Sequence, residues 1–125
     1  MGGAQRPCES DFDQQALFAH TVDEIILPGY TALQLNANNL HAAAFDFAEA
    51  PSPQTLADAR AAFETAYLSW QEVAQFEFGP AEAVALRATL NNFPLNASAL
   101  ESKIDEEDYD FTNPNTFDKG FPALD

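Results

Sequence analysis

Two long stretches of this chain repeat their apolar residues every three or four positions, and a short proline-bearing break joins them. In the first stretch Leu17, Phe18, Thr21, Val22, Ile25 and Ile26 are followed by Tyr30, Leu33, Ala37, Leu40, Ala44 and Phe47. In the second the series is Leu56, Ala59, Phe63, Ala66, Tyr67, Trp70, Val73 and Ala74. Spacing of this kind puts one apolar stripe along an α-helix and does not suit a strand. The break, Glu49-Ala-Pro-Ser-Pro-Gln-Thr55, is a stop followed by a start. Pro51 ends one helix, Ser52 can cap the next, and Pro53 suits its first position. So short a connection forces the two helices to run antiparallel. An all-α, up-down helical bundle is the expected fold.

The first helix should begin at Phe12, with Asp11 or Asp13 as cap, and end near Ala48. Pro28-Gly29 interrupts it, which predicts a kink or a break into two collinear helices. The second helix should run from Pro53 to Gln75. Beyond it, Gly79-Pro80 breaks the chain, and Ala81–Leu90 reads as one short helix ended by Asn91-Asn92-Phe93-Pro94. Another is expected from Ala97 to Asp105 with Asn96 as cap, then a loop from Glu106 to Lys119. Gly120 punctuates that loop, and Phe121-Pro122-Ala123-Leu124-Asp125 reads as the first turn of a further helix. Residues 1–11 read as a flexible tail, and residues 12–125 as one helical unit.

Charge narrows the function classes. Twenty acidic residues against 5 basic ones give a net charge of −15. Such a surface repels nucleic-acid phosphates and anionic lipids, so nucleic acid is not an expected partner. No run of about 20 apolar residues is present to span a membrane, and MGGAQRP has no apolar core of a signal peptide. The single cysteine, Cys8, rules out an intrachain disulfide and leaves an exposed thiol or a lipid-bearing cysteine.

Few residues suggest chemistry. His20 and His41 stand far apart and in no H-E-x-x-H pattern, so both read as structural or exposed. Asp105, Glu106, Glu107, Asp108 and Asp110 lack the spacing and glycine of an EF-hand and read as a solvated loop. Asn96-Ala97-Ser98 matches a glycosylation sequon but reads more simply as a helix cap. Trp70 and Tyr67 belong to the apolar face. Arg87, one of three arginines, is either exposed or paired with a carboxylate such as Asp125. Nothing matches a P-loop, a dinucleotide-binding fingerprint or a nucleophile elbow.

Several stretches, taken in order, resemble the imelysin family: the early TVDEIILPGYTAL, then AYLSWQEVAQFEFGPAE (66–82), ALRATLNNFP (85–94) and DKGFPALD (118–125). The resemblance covers nearly all of the chain from Phe12. It implies an all-helical protein built from two related bundle halves and considerably longer than this chain. The chain would then be the N-terminal part, with the remaining C-terminal part of the same protein as its first partner. The family signature, G-x-H-x-x-E at the start of a helix, falls on Gly120 to Asp125. Pro122 stands in the histidine position and has no ligand atom. Asp125 stands for glutamate and keeps a carboxylate, so it is the one candidate metal ligand of the signature. The resemblance further implies a cell-envelope protein of a Gram-negative bacterium, periplasmic or an outer-membrane lipoprotein anchored through Cys8. The expected role is non-enzymatic binding linked to uptake of iron or haem, with iron, another divalent metal or haem as the bound group and cell-envelope iron-uptake components as partners. Alternatives are an interaction or scaffold protein in which Asp125 pairs with Arg87, and a metallopeptidase, which the loss of the signature histidine disfavours.

Overall fold

The computed structural model describes residue 3, residues 11–110, 112, 113 and 116–125. The expectations placed on Cys8 lie outside these residues. Every regular element among the described residues is helical. We number them α1 (Gln14–Thr21), α2 (Leu27–Glu49), α3 (Pro53–Val73), α4 (Pro80–Ala83), α5 (Leu86–Leu90), α6 (Ala97–Glu106) and α7 (Phe121–Leu124).

Asp13 caps α1, accepting from the Ala16 amide at 3.0 Å. The helix then widens into a π turn, Val22–Ile26, before continuing as α2. The expected break at Pro28-Gly29 is therefore replaced by a wide turn just upstream. The cause is local. Proline at 28 has no N–H to give and its ring crowds the carbonyl four residues back. The Leu27 amide donates instead to the Val22 carbonyl, five residues back, and the helix carries on.

Ser52 caps α3 and forms a reciprocal box with Thr55, which fixes the sharp turn out of α2. Three contacts establish the antiparallel register: Gly29 against Val73, Asn36 donating to Ser69 Oγ, and the Tyr30 hydroxyl donating to the Phe76 carbonyl at 3.1 Å. At Gly29 a Cβ would sit 2.7 Å from Val73 Cγ1. The absence of a side chain there lets α2 and α3 approach closely.

The core is small. Leu33, Ala66, Trp70, Val73 and Phe121 are buried together, with Tyr30, Leu40, Phe63, Tyr67 and Leu90 packed around them. Trp70 is 1% exposed, as its place on the apolar face required. The upstream stripe is not covered: Leu17, Phe18, Val22 and Ile25 are all exposed, and only Ile26 of that stretch is buried.

The segment expected as one helix over Ala81–Leu90 is two, α4 and α5. The break falls at Val84-Ala85, where Ala85 takes a left-handed conformation (φ 49°). The break lets Glu77 reach the start of α5. Its carboxylate accepts from the Arg87 backbone amide at 2.9 Å and pairs with the Arg87 guanidinium at 3.2 Å. The other arm of Arg87 donates to the Ala74 carbonyl at 2.7 Å and closes the C-terminus of α3. Arg87 is thus committed to Glu77 and not to Asp125, which corrects the expected pairing. Asn96 caps α6 as expected, accepting from the Ala99 amide at 3.2 Å.

Candidate functional site

The site is built on the turn that enters α7. Gly120 has φ 80°, and a Cβ there would lie 2.4 Å from the Leu90 carbonyl oxygen. Only glycine meets both demands, the left-handed backbone and the contact with the end of α5. Pro122 then occupies the first turn of α7, where its missing N–H costs nothing. The short helix seats Phe121 on α3. Its ring lies 5.9 Å from Phe63, edge-on, and 5.2 Å from Tyr67, while Phe63 and Tyr67 stack at 6.0 Å.

The loop before Gly120 is held by charges that are themselves buried. Asp118 is 7% exposed and lies 2.6 Å from the Lys103 ammonium on α6. Hydrogen bonds from Lys103 and from the Thr116 hydroxyl hold the Asp118 carboxyl below the usual carboxylate range. The same bond raises Lys103. Lys119 is also buried, with its ammonium donating to the Asn113 carbonyl. Two backbone carbonyls of the loop are used as well. Thr116 accepts from the Asn92 side chain at 2.9 Å and Phe117 from the Asn96 amide at 2.6 Å.

This arrangement places Asp125 at the junction of two open clefts. One, of about 360 Å³, is lined by Phe63, Tyr67, Asn91, Phe93, Phe121 and Asp125 among others. The other, of about 630 Å³, lies between α2 and α3 and shares Phe63 and Asp125 with the first. On the opposite side of the Gly120 turn, Lys103, Asp118 and Lys119 border a smaller cleft of about 270 Å³.

The residues singled out from sequence separate clearly. Gly120, Pro122 and Asp125 form one turn. Trp70 lies beneath it in the core, and Arg87 stands at the far side of α5, bound to Glu77 and Ala74. His20 and His41 are exposed, as is the acidic run 105–108 with Asp110. Within that run, Thr112 donates to Asp110 through both its amide and its hydroxyl, which lowers the Asp110 carboxyl. Sequence reasoning passed over Asp118 and Lys119, although both lie in the DKG that opens the turn. It also passed over Asn91 and Phe93, which reach the cleft from a loop.

The described residues do not by themselves fit an iron centre. Asp125 offers a carboxylate and Pro122 offers nothing. Among the described residues no three of His, Cys, Asp or Glu converge in a way that could hold a metal ion. No described helix is long and apolar enough to cross a membrane.

An all-α hairpin carrying a glycine-seated turn over a small aromatic core defines an all-helical bundle protein. The sequence model of one family, Imelysin, matches residues 26–125, and the chain belongs to the imelysin family. It is also similar to "Iron-regulated protein A" of Synechococcus elongatus, 27% identical over 81 residues. That match takes in 65% of this chain and 23% of the relative, so the chain spans about a quarter of the length of the curated protein it matches. No solved structure matches.

Proposed function

We propose that this chain forms part of a non-enzymatic binding protein of the bacterial cell envelope that serves the uptake of iron, as the ion or as haem. Membership of the imelysin family supports the reading, as does similarity to a cyanobacterial protein whose name records regulation by iron. The observation that carries it is the Gly120 turn. It holds Asp125 at the mouth of two clefts and supplies no partner for hydrolysis. Zinc hydrolysis needs about three protein ligands and an activated water. Pro122 removes one candidate ligand, and among the described residues no convergent set stands nearby. A single carboxylate at an aromatic cleft suits binding better than bond cleavage.

In this reading the protein sits in the periplasm or on the outer membrane of a Gram-negative bacterium, with Cys8 as the point of lipid attachment. Ligands beyond Asp125 come from the remaining C-terminal part of the same polypeptide, which also covers the exposed apolar face. Other components of envelope iron uptake are its partners. Titration of the full-length protein with ferric citrate and with haemin tests the proposal. Stoichiometric binding of one of them is the expected result, and no binding by a folded full-length protein would refute it.

The exposed stripe of Leu17, Phe18 and Ile25 also favours an interaction or scaffold role. In that case Asp125→Ala would leave every ligand affinity unchanged. Cleavage of a peptide by the full-length protein, abolished by chelator, would restore the peptidase reading.

A further inference from the structure

Three consecutive residues of the loop before Gly120 are each tied to a different part of the fold. The Thr116 carbonyl accepts from the Asn92 side chain at 2.9 Å. The Phe117 carbonyl accepts from the Asn96 amide, at the cap of α6, at 2.6 Å. The Asp118 carboxylate meets the Lys103 ammonium, nearer the other end of α6, at 2.6 Å. The first two ties use backbone carbonyls, which every residue carries. The third depends on which side chain stands at 118.

The short helix α7 needs such a guide. It has four residues and no side-chain cap, and Phe121 seats it largely through burial, which attracts without fixing a direction. A charge-assisted hydrogen bond is directional. The Asp118 side chain is 4% exposed and that of Lys103 29%, so residues of this chain already enclose the pair. A buried ion pair adds little net stability over an apolar pair of similar volume, because desolvation offsets the attraction. What it can supply is a single geometry. We propose that Lys103 and Asp118 are positioning residues, whose pairing sets where the Gly120 turn presents Asp125 and so governs ligand affinity more than it stabilises the fold. The inference rests on reading that turn as part of a binding site.

The double variant Lys103→Met/Asp118→Leu of the full-length protein tests it. Both charges go together, so neither is left stranded, and the Thr116 hydroxyl keeps the Asn113 carbonyl at 3.2 Å. Deuterium exchange reads the turn itself, since the Ala123 and Asp125 amides donate to the Gly120 and Phe121 carbonyls at 3.1 and 3.2 Å. The thermal midpoint should stay level or rise, while these two amides exchange about tenfold faster and the α2–α3 hairpin is unchanged. Lys103→Arg, which retains the charge-assisted bond, should leave exchange as it was. Where the unaltered protein binds ferric citrate or haemin, the double variant should bind it about tenfold more weakly, as loss of a ligand-orienting contact does at metal sites. Unchanged exchange at 123 and 125, a lower midpoint with faster exchange throughout, or unchanged affinity would each overturn the proposal. An unaltered protein that binds neither probe would defeat the iron reading alone, and exchange would then decide the role of the pair by itself.

Discussion

At the scale of single residues, glycines and buried charges do most to position the site. Gly120 combines a left-handed backbone with a contact that leaves no room for a Cβ. Gly79 also has a positive φ, 59°, but open space around it. The pair separates backbone strain from steric conflict. Gly79→Ala should cost about 1 kcal/mol, the strain of a left-handed non-glycine residue. Gly120→Ala should cost roughly 3 kcal/mol, since backbone clash is added to the same strain. Urea denaturation of the two variants checks the difference, and equal losses would remove the special role assigned to the Gly120–Leu90 contact. The Asp118–Lys103 pair makes a prediction in pH. Asp118 has its folded pKa depressed, by the hydrogen bond from Lys103 first. Its contribution is therefore present above the unfolded-state value, about 3.9, and is lost as pH falls through the lower folded value. Lys103→Met should lower the thermal midpoint at pH 7, and the gap from the unaltered protein should narrow as pH falls below about 3.9. A gap that persists unchanged in acid would mean that Lys103 acts through packing alone.

At the scale of elements, the α2–α3 hairpin is the rigid part. Gly29→Ala is a direct test of its packing. Alanine gains about 1 kcal/mol of helix propensity over glycine. Overpacking a closed contact costs about 1–3 kcal/mol, and Val73, at 1% exposed, has nowhere to retreat. The net effect should be destabilising, and adding Val73→Ala should recover part of the loss in a double-mutant cycle. Purely additive losses would place the Gly29 contact elsewhere. The hairpin was legible in the sequence because its signals are local: a 3.6-residue rhythm, a Ser-Pro start and a proline stop. The same holds for the caps at Asp13, Ser52 and Asn96, and for the glycine that opens α7. What the sequence concealed depends on distance. Around Pro28 the cause is local, but the ring's clash can be relieved by a π turn or by a kink, and the sequence pattern does not choose between them. The break at Ala85 goes together with the contact of Glu77 and Arg87, and the burial of Asp118 goes with its pairing to Lys103 on another helix. Pairing of that kind has no sequence period, so Arg87 was as open to Asp125 as to Glu77 until the fold was known. The turn at Gly120–Asp125 could be placed from sequence. The aromatic cleft around Asp125 could not, because Asn91 and Phe93 come to it from an irregular loop.

At the scale of the whole molecule, two opposing features stand out. Large apolar side chains are exposed along α1 and the start of α2, among them Phe18 at 65%, and bare faces of that kind ordinarily find a partner. The net charge of −15 pushes copies apart. Screening the charge should therefore reveal the apolar attraction. Sedimentation of the 125-residue chain should show more self-association at about 0.5 M salt, where the Debye length is only a few Å, than at about 0.01 M, where it is roughly 30 Å. Association that weakens with salt would instead point to charge pairing. The central claim remains that the imelysin-family turn at Asp125 belongs to a binding protein that serves iron uptake. Calorimetric titration of the full-length protein with ferric citrate and with haemin addresses it most directly. The account predicts saturable, stoichiometric binding of one of the two, with no hydrolysis of peptide by the loaded protein. A folded full-length protein that binds neither, or one that cleaves peptide in a chelator-sensitive way, would contradict it.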